Sequence, residues 1–169
     1  MKAKLIIEDK EIEIEISEEE YKKLQPSEER KTGYERVPKN GKYFYEFGKG
    51  DVESDIEDYY DIDNEYYESA NYYSSETVAK NNARADKLMR QLRRFSVEHR
   101  ERGVDFNSTK TEKHYIYYDY GNNTLGTAFT LCAKTFGVIC FDSDETALAA
   151  INEFREELTW YFTEYKDSL

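Results

Sequence analysis

The sequence predicts an α+β protein, in which an antiparallel sheet carries a long central helix and a C-terminal helix on one face, with a small N-terminal β-hairpin and helix appended. Three observations carry that expectation. Apolar and charged residues alternate strictly over 11–16, aromatic residues crowd short extended runs at 42–47 and 114–120, and apolar residues recur every three or four positions over 85–99 and 147–158.

Residues 2–16 read as a hairpin, with a tight turn at Asp9-Lys10 and a second strand that puts Ile on one face and Glu on the other. Ser17-Glu18-Glu19-Glu20 has the spacing of a capping box and opens a short helix to Leu24. Residues 25–41 hold both prolines, mixed charge and almost nothing apolar, which is the composition of a linker. The expected organisation is an appendage at 1–24, a linker at 25–41 and a main domain at 42–169. In the main domain, 42–47 is a strand, 48–50 its glycine turn and 51–57 an alternating edge strand. The polar, Tyr-studded stretch 58–75 reads as irregular. A helix follows over 75–102, with Ala85, Leu88, Leu92, Phe95 and His99 on one stripe and Gly103 stopping it. Strands are expected at 114–120, 125–133 and 137–141, the last buried on both faces. Asp142 and Glu145 then cap a closing helix whose apolar residues Ala147, Leu148, Ile151, Phe154 and Leu158 repeat at helical spacing.

Composition narrows the function classes. Leu, Ile, Val and Phe total 34 of 169 residues and the net charge is −12, which borders on the composition of a disordered chain. The 16 Tyr, 9 Phe and single Trp restore a core, because each ring buries a large area. A pI of about 4.7 disfavours direct binding of nucleic acid or anionic lipid. No apolar run approaches the length of a membrane span and the N-terminus leads into charge, so a cytoplasmic protein is expected. Cys132 and Cys140 are too few for a zinc cage, and no metal or other cofactor is expected.

Several segments share a pattern: Lys42-Tyr43-Phe44-Tyr45 before a glycine turn, Asp61-Ile62-Asp63-Asn64-Glu65-Tyr66-Tyr67, Ala70-Asn71-Tyr72-Tyr73-Ser74-Ser75, the long basic helix, Val104-Asp105-Phe106, His114-Tyr115-Ile116-Tyr117-Tyr118-Asp119, and Gly137-Val138-Ile139-Cys140-Phe141. With these, residues 42–165 resemble a widespread group of small accessory proteins from phages and prophages of Gram-positive bacteria. The chain departs from that group at Ala70-Asn71-Tyr72-Tyr73, where relatives carry Gly-Asn-Tyr-Phe, and at Asp105-Phe106, where they carry Asp-Trp. The shared motifs are aromatic and structural. The resemblance implies a phage setting, in which small acidic proteins often bind and block host defence nucleases, and so an anti-CRISPR-like counter-defence role. It assigns no residue a role.

The sharpest local feature is the acidic stretch 51–68. Asp51, Glu53, Asp55, Glu57, Asp58, Asp61, Asp63, Glu65 and Glu68 stand among Tyr59, Tyr60, Tyr66 and Tyr67 with no Lys or Arg. Such a run can imitate the phosphates of DNA, with tyrosines as rigid contact area, or it can be a solvated edge that discourages strand pairing. The first reading makes these residues the surface that binds a host defence protein, with a CRISPR effector nuclease as the target class and no enzymatic chemistry. A calcium loop does not fit, since the required glycine position holds Ile56 or Tyr66. The helix 80–102 is locally basic. Its bland reading is internal neutralisation; the alternative is a nucleotide or nucleic-acid binder, such as a sponge for a signalling nucleotide, using Arg90, Arg93, Arg94 and Tyr117. His99, His114 and the two cysteines lack adjacent catalytic partners, the cysteines reading as small hydrophobes in strands. Exposed strands leave a homodimer open.

Overall fold

The computed structural model describes residues 2–7, 10–15, 17 and 31–169, and the chain divides into two units, Met1–Lys31 and Thr32–Leu169. In the first, β1 (Lys2–Ile7) and β2 (Lys10–Glu15) pair antiparallel, with Leu5 opposite Ile12 and Ala3 opposite Ile14. Lys10, expected in the turn, is already the first residue of β2, opposite Ile7. Asp9 and, beyond Ser17, the helix expected to Leu24 lie outside the described residues.

The second unit is mixed α+β, as the patterning predicts, but its strands form two separate hairpins instead of one sheet. β3 (Lys42–Phe47) pairs with β4 (Asp51–Ile56), and β5 (Lys113–Asp119) with β6 (Thr124–Thr130). Each hairpin is extended on its other edge by a single bridge, Tyr73 to Phe44 and Phe141 to His114. The separation follows from the long helix α2 (Glu76–Glu98), which serves two cores. Val78 and Ala79, at its start, pack with Tyr73, Phe44 and Val52 of the first hairpin. Leu88 and Leu92, further on, pack with Phe141, Ala147, Ile151 and Leu158, and Ile116 and Leu125 of the second hairpin lie against that cluster. Burying each Leu, Ile, Val or Phe side chain among these contributes roughly 1.5–3 kcal/mol.

Several boundaries differ from the sequence reading: the strand expected over 125–133 is β6 and stops at Thr130, and four further differences have a clear local reason. The stretch 58–75 contains a helix, α1 (Asp61–Glu68), whose first-turn Asp63 accepts the N–H of Tyr60 at 3.0 Å and of Asp58 at 3.1 Å. Helix α2 ends at Glu98, well before Gly103, because His99 leaves the apolar stripe: it is exposed and its ring stacks on Phe95 at 3.8 Å. Residues 137–141 form no strand. Gly137 takes a left-handed φ of +78 and the Val138 N–H bonds back to Thr135, so the chain turns and only Phe141 reaches β5. The closing helix is two helices, α3 (Asp144–Glu153) and α4 (Arg155–Thr163), broken at Phe154, whose ring meets Phe95 edge-on at 5.7 Å.

Two further residues change roles. The N-cap of α3 is Ser143, whose hydroxyl accepts the Thr146 N–H at 3.2 Å. Asp142 instead accepts N–H groups of Glu101 and Arg102 and the Thr146 hydroxyl, tying the chain after α2 to the start of α3. Residues 32–41, expected as linker, belong to the second unit. Gly33, at φ +96, lies where a β-carbon would stand 2.6 Å from Val78 Cγ2, so only glycine permits the approach. Among the described residues no helix is long and apolar enough to cross a membrane.

Candidate functional site

The acidic stretch is built on a buried polar network. Glu57 is 0% exposed and Asp63 2%, so neither belongs to the outer surface that the sequence suggests for them. A buried carboxylate is tolerable only when its charge is matched and its oxygens are hydrogen-bonded. Arg36 supplies the match for Glu57, with Nε at 2.9 Å and Nη2 at 3.0 Å from its two oxygens, and also donates to Asn64 Oδ1 at 2.8 Å. The Tyr72 hydroxyl and the Tyr59 N–H complete Glu57, each at 2.8 Å. Asp63 accepts the Tyr43 hydroxyl at 2.8 Å besides its two backbone donors.

The electrostatics follow from these bonds. The Arg36 hydrogen bonds hold the Glu57 carboxyl below the usual carboxylate range against the opposing effect of burial. For Asp63, burial pushes upward, but the Tyr43 bond, the two N–H donors and the Arg36 charge outweigh it, and the net shift is downward. Burial and these same carboxylates push the Tyr43 and Tyr72 hydroxyls up, which keeps them protonated as donors.

Aromatic packing fixes the same region. Tyr43 stacks on Tyr72 and Tyr45 on Tyr66, both with ring centroids 4.3 Å apart, and Tyr67 meets Tyr72 edge-on at 5.4 Å. The Arg36 guanidinium lies 4.9 Å from the Tyr59 ring centre and 5.2 Å from that of Tyr67. Tyr59 itself has φ +61, a left-handed conformation that costs a non-glycine residue about 1 kcal/mol or more, held by its N–H bond to Glu57.

On this scaffold Asp51, Glu53, Asp55, Tyr59, Tyr60, Asp61, Glu65, Tyr67 and Glu68 are exposed, and Asp58 and Tyr66 are half-buried. Ile56 and Ile62 are exposed beside them. The arrangement presents carboxylates and rings in fixed positions. Among the described residues no three His, Cys, Asp or Glu side chains converge as a metal centre requires.

Of the basic-helix candidates, Arg90 and Arg94 border one cleft, while Arg93 and Tyr117 lie elsewhere. Arg90 pairs with Glu46 at 2.6 Å, Arg94 lies 3.8 Å from Glu98, and Arg93 lines a different groove beside Arg100, Phe106 and Lys134. Tyr117 is exposed on β5, where it covers Gly126 of β6. The cations of α2 do not neutralise the acidic stretch: Arg84 pairs with Glu157 and Lys80 with Glu76. Tyr118 and Tyr120 face α4, the first stacking on Phe162 and the second donating to its carbonyl at 2.8 Å. Cys140 is buried, and burial pushes its thiol up; Cys132 is exposed in the loop after β6, not in a strand.

Sequence reasoning missed Arg36, the one cation among the described residues that enters the network, because it lies in a segment that reads as linker. The available signal was indirect: a stretch with nine carboxylates and no Lys or Arg can bury one of them only by borrowing a cation from elsewhere. Fold and site together define a small mixed α+β protein with a rigid acidic, tyrosine-rich face. Comparison with protein-family models, curated proteins and solved structures gives no match to the chain.

Proposed function

We propose that this chain is a non-enzymatic inhibitor carried by a phage or prophage, which acts in the host cytoplasm by binding a host defence protein through its acidic, tyrosine-rich face. The target class is a CRISPR effector nuclease, whose DNA-binding groove is basic. The observation that carries the reading is the division of labour among the carboxylates. Glu57 and Asp63 are spent inside on rigidity, while Asp51, Asp55, Asp61 and Glu65 stand outside with Tyr59, Tyr60 and Tyr67. A preordered surface loses little entropy on binding, and tyrosine gives large contact area for few rotatable bonds. Carboxylates at fixed spacing suit a groove lined by Lys and Arg. The resemblance of 42–165 to phage accessory proteins supplies the setting.

The test is affinity capture from a CRISPR-bearing host together with phage plating. The Asp51→Asn, Asp55→Asn, Asp61→Asn, Glu65→Gln variant touches no buried group and should stay folded while capture and plating rescue are lost. Capture of no defence protein by the native chain, or full rescue by the folded variant, overturns the proposal.

A further inference from the structure

The turn between β3 and β4 is pressed against α2, and the cleft between them collects positive charge in a protein whose net charge is −12. Gly50, at φ +90, sits where a β-carbon would stand 3.2 Å from the Lys87 Cδ and 3.6 Å from the Ala83 carbonyl oxygen, so the turn rests directly on the helix. Gly48, also left-handed at φ +62, has open space where a side chain would be. The resulting cleft has a volume of about 220 Å³ and is lined by Gly48, Lys49, Lys87, Arg90, Gln91 and Arg94.

The charges there are matched only in part. Lys87, Arg90 and Arg94 recur at helical spacing on one face of α2, and Lys49 faces them from the turn. Glu46 engages Arg90, and Glu98 lies at the long distance of 3.8 Å from Arg94. Lys49 and Lys87 have no ion pair among the described residues. Four cations held around one cleft repel one another, and an anion with several oxygens relieves that repulsion while accepting their hydrogen bonds. Gln91 adds a neutral amide donor. We propose that this cleft is a binding site for an oligophosphate group, from either a nucleotide or an inorganic polyphosphate. The site shares no lining residue with the acidic face and does not depend on its role.

Thermal shift and ³¹P NMR of the full chain with inorganic triphosphate and, in a parallel arm, ATP provide the test. Triphosphate should raise the melting temperature by several degrees and broaden the phosphate resonances, with the effect fading between about 50 and 200 mM salt. Lys49→Gln with Lys87→Gln removes both charges while keeping the β- and γ-methylenes beside Gly50 and should weaken binding about tenfold or more, while the Lys39→Gln, Lys110→Gln pair, outside the cleft lining, should change it little. Lys49→Glu alone, an exposed turn substitution, gives the same readout if the double variant is unstable. Tighter binding of ATP than of triphosphate assigns the source as a nucleotide, and equal binding assigns it to the phosphate chain. No shift with either probe at low salt, or equal losses in the cleft and control variants, overturns the site.

Discussion

Tyr72 and Arg36 show how one carboxylate can be both inside a small protein and charged. Tyr72→Phe removes a hydrogen bond to the buried Glu57 oxygen and should destabilise the chain by about 2 kcal/mol, read by urea unfolding. Arg36→Met strips Glu57 of its countercharge and should lower the unfolding midpoint further than Tyr72→Phe does. The pH dependence has a definite sign. Glu57 and Asp63 are held below their unfolded values, so their contribution is complete above the unfolded carboxylate pKa of about 4 and is lost as pH falls through the folded values. Glu35 adds to the same trend. Hydrogen bonds from the Thr32 N–H, the Ser74 hydroxyl and neighbouring groups bring its carboxyl down to about 2. The melting temperature should therefore be nearly level from about pH 7 to 5 and drop steeply below about 4. A flat profile to pH 3 would contradict the network's charge state.

At the scale of elements, α2 is the member on which both cores depend, and its two halves should respond separately. Leu92→Ala opens the larger core and should cost about 2–5 kcal/mol, against about 1 kcal/mol for Ser143→Ala at the α3 cap. Calorimetry of both variants measures the contrast, and equal losses would mean the larger core is not where stability resides. The strongest local signals were legible in the sequence: β3 and β5 follow from crowded aromatic residues beside turn residues, and the helical stripe around Leu88 and Leu92 follows from spacing. The failures have physical causes that spacing does not encode. Helix α1 is polar along most of its length and is held by Asp63 and by Tyr66 stacking on Tyr45, both contacts with groups outside the helix. Residues 137–141 have the apolar run of a buried strand, but Gly137 turns the chain before it can pair. The acidic face was visible as composition. Which of its carboxylates point inward was not, because that is decided by Arg36 and Tyr72, which are distant in sequence.

Over the whole molecule, charge sets opposing responses to salt. Raising salt from about 10 to 150 mM contracts the screening length from about 30 to 8 Å and relaxes the self-repulsion of a chain carrying −12. The free protein should then melt a few degrees higher, while any complex made through the acidic face should form more slowly and bind more weakly. Scanning fluorimetry and surface-binding kinetics across the same salt series measure the two slopes. A melting temperature that falls with salt would show that ion pairs such as Arg90–Glu46 and Arg84–Glu157 outweigh the net repulsion.

The burial of Glu57 and Asp63 bears on how such a surface can change over generations. Because the fold leans on those two carboxylates and on Tyr43 and Tyr72, the outward positions 51, 61 and 65 carry little structural duty, and 53 and 55 make only exposed hydrogen bonds, to the Tyr45 hydroxyl and the Ile56 N–H. Those outer charges can therefore be exchanged one at a time with each step nearly silent for folding, so the charge pattern of the face can change without passing through an unfolded ancestor.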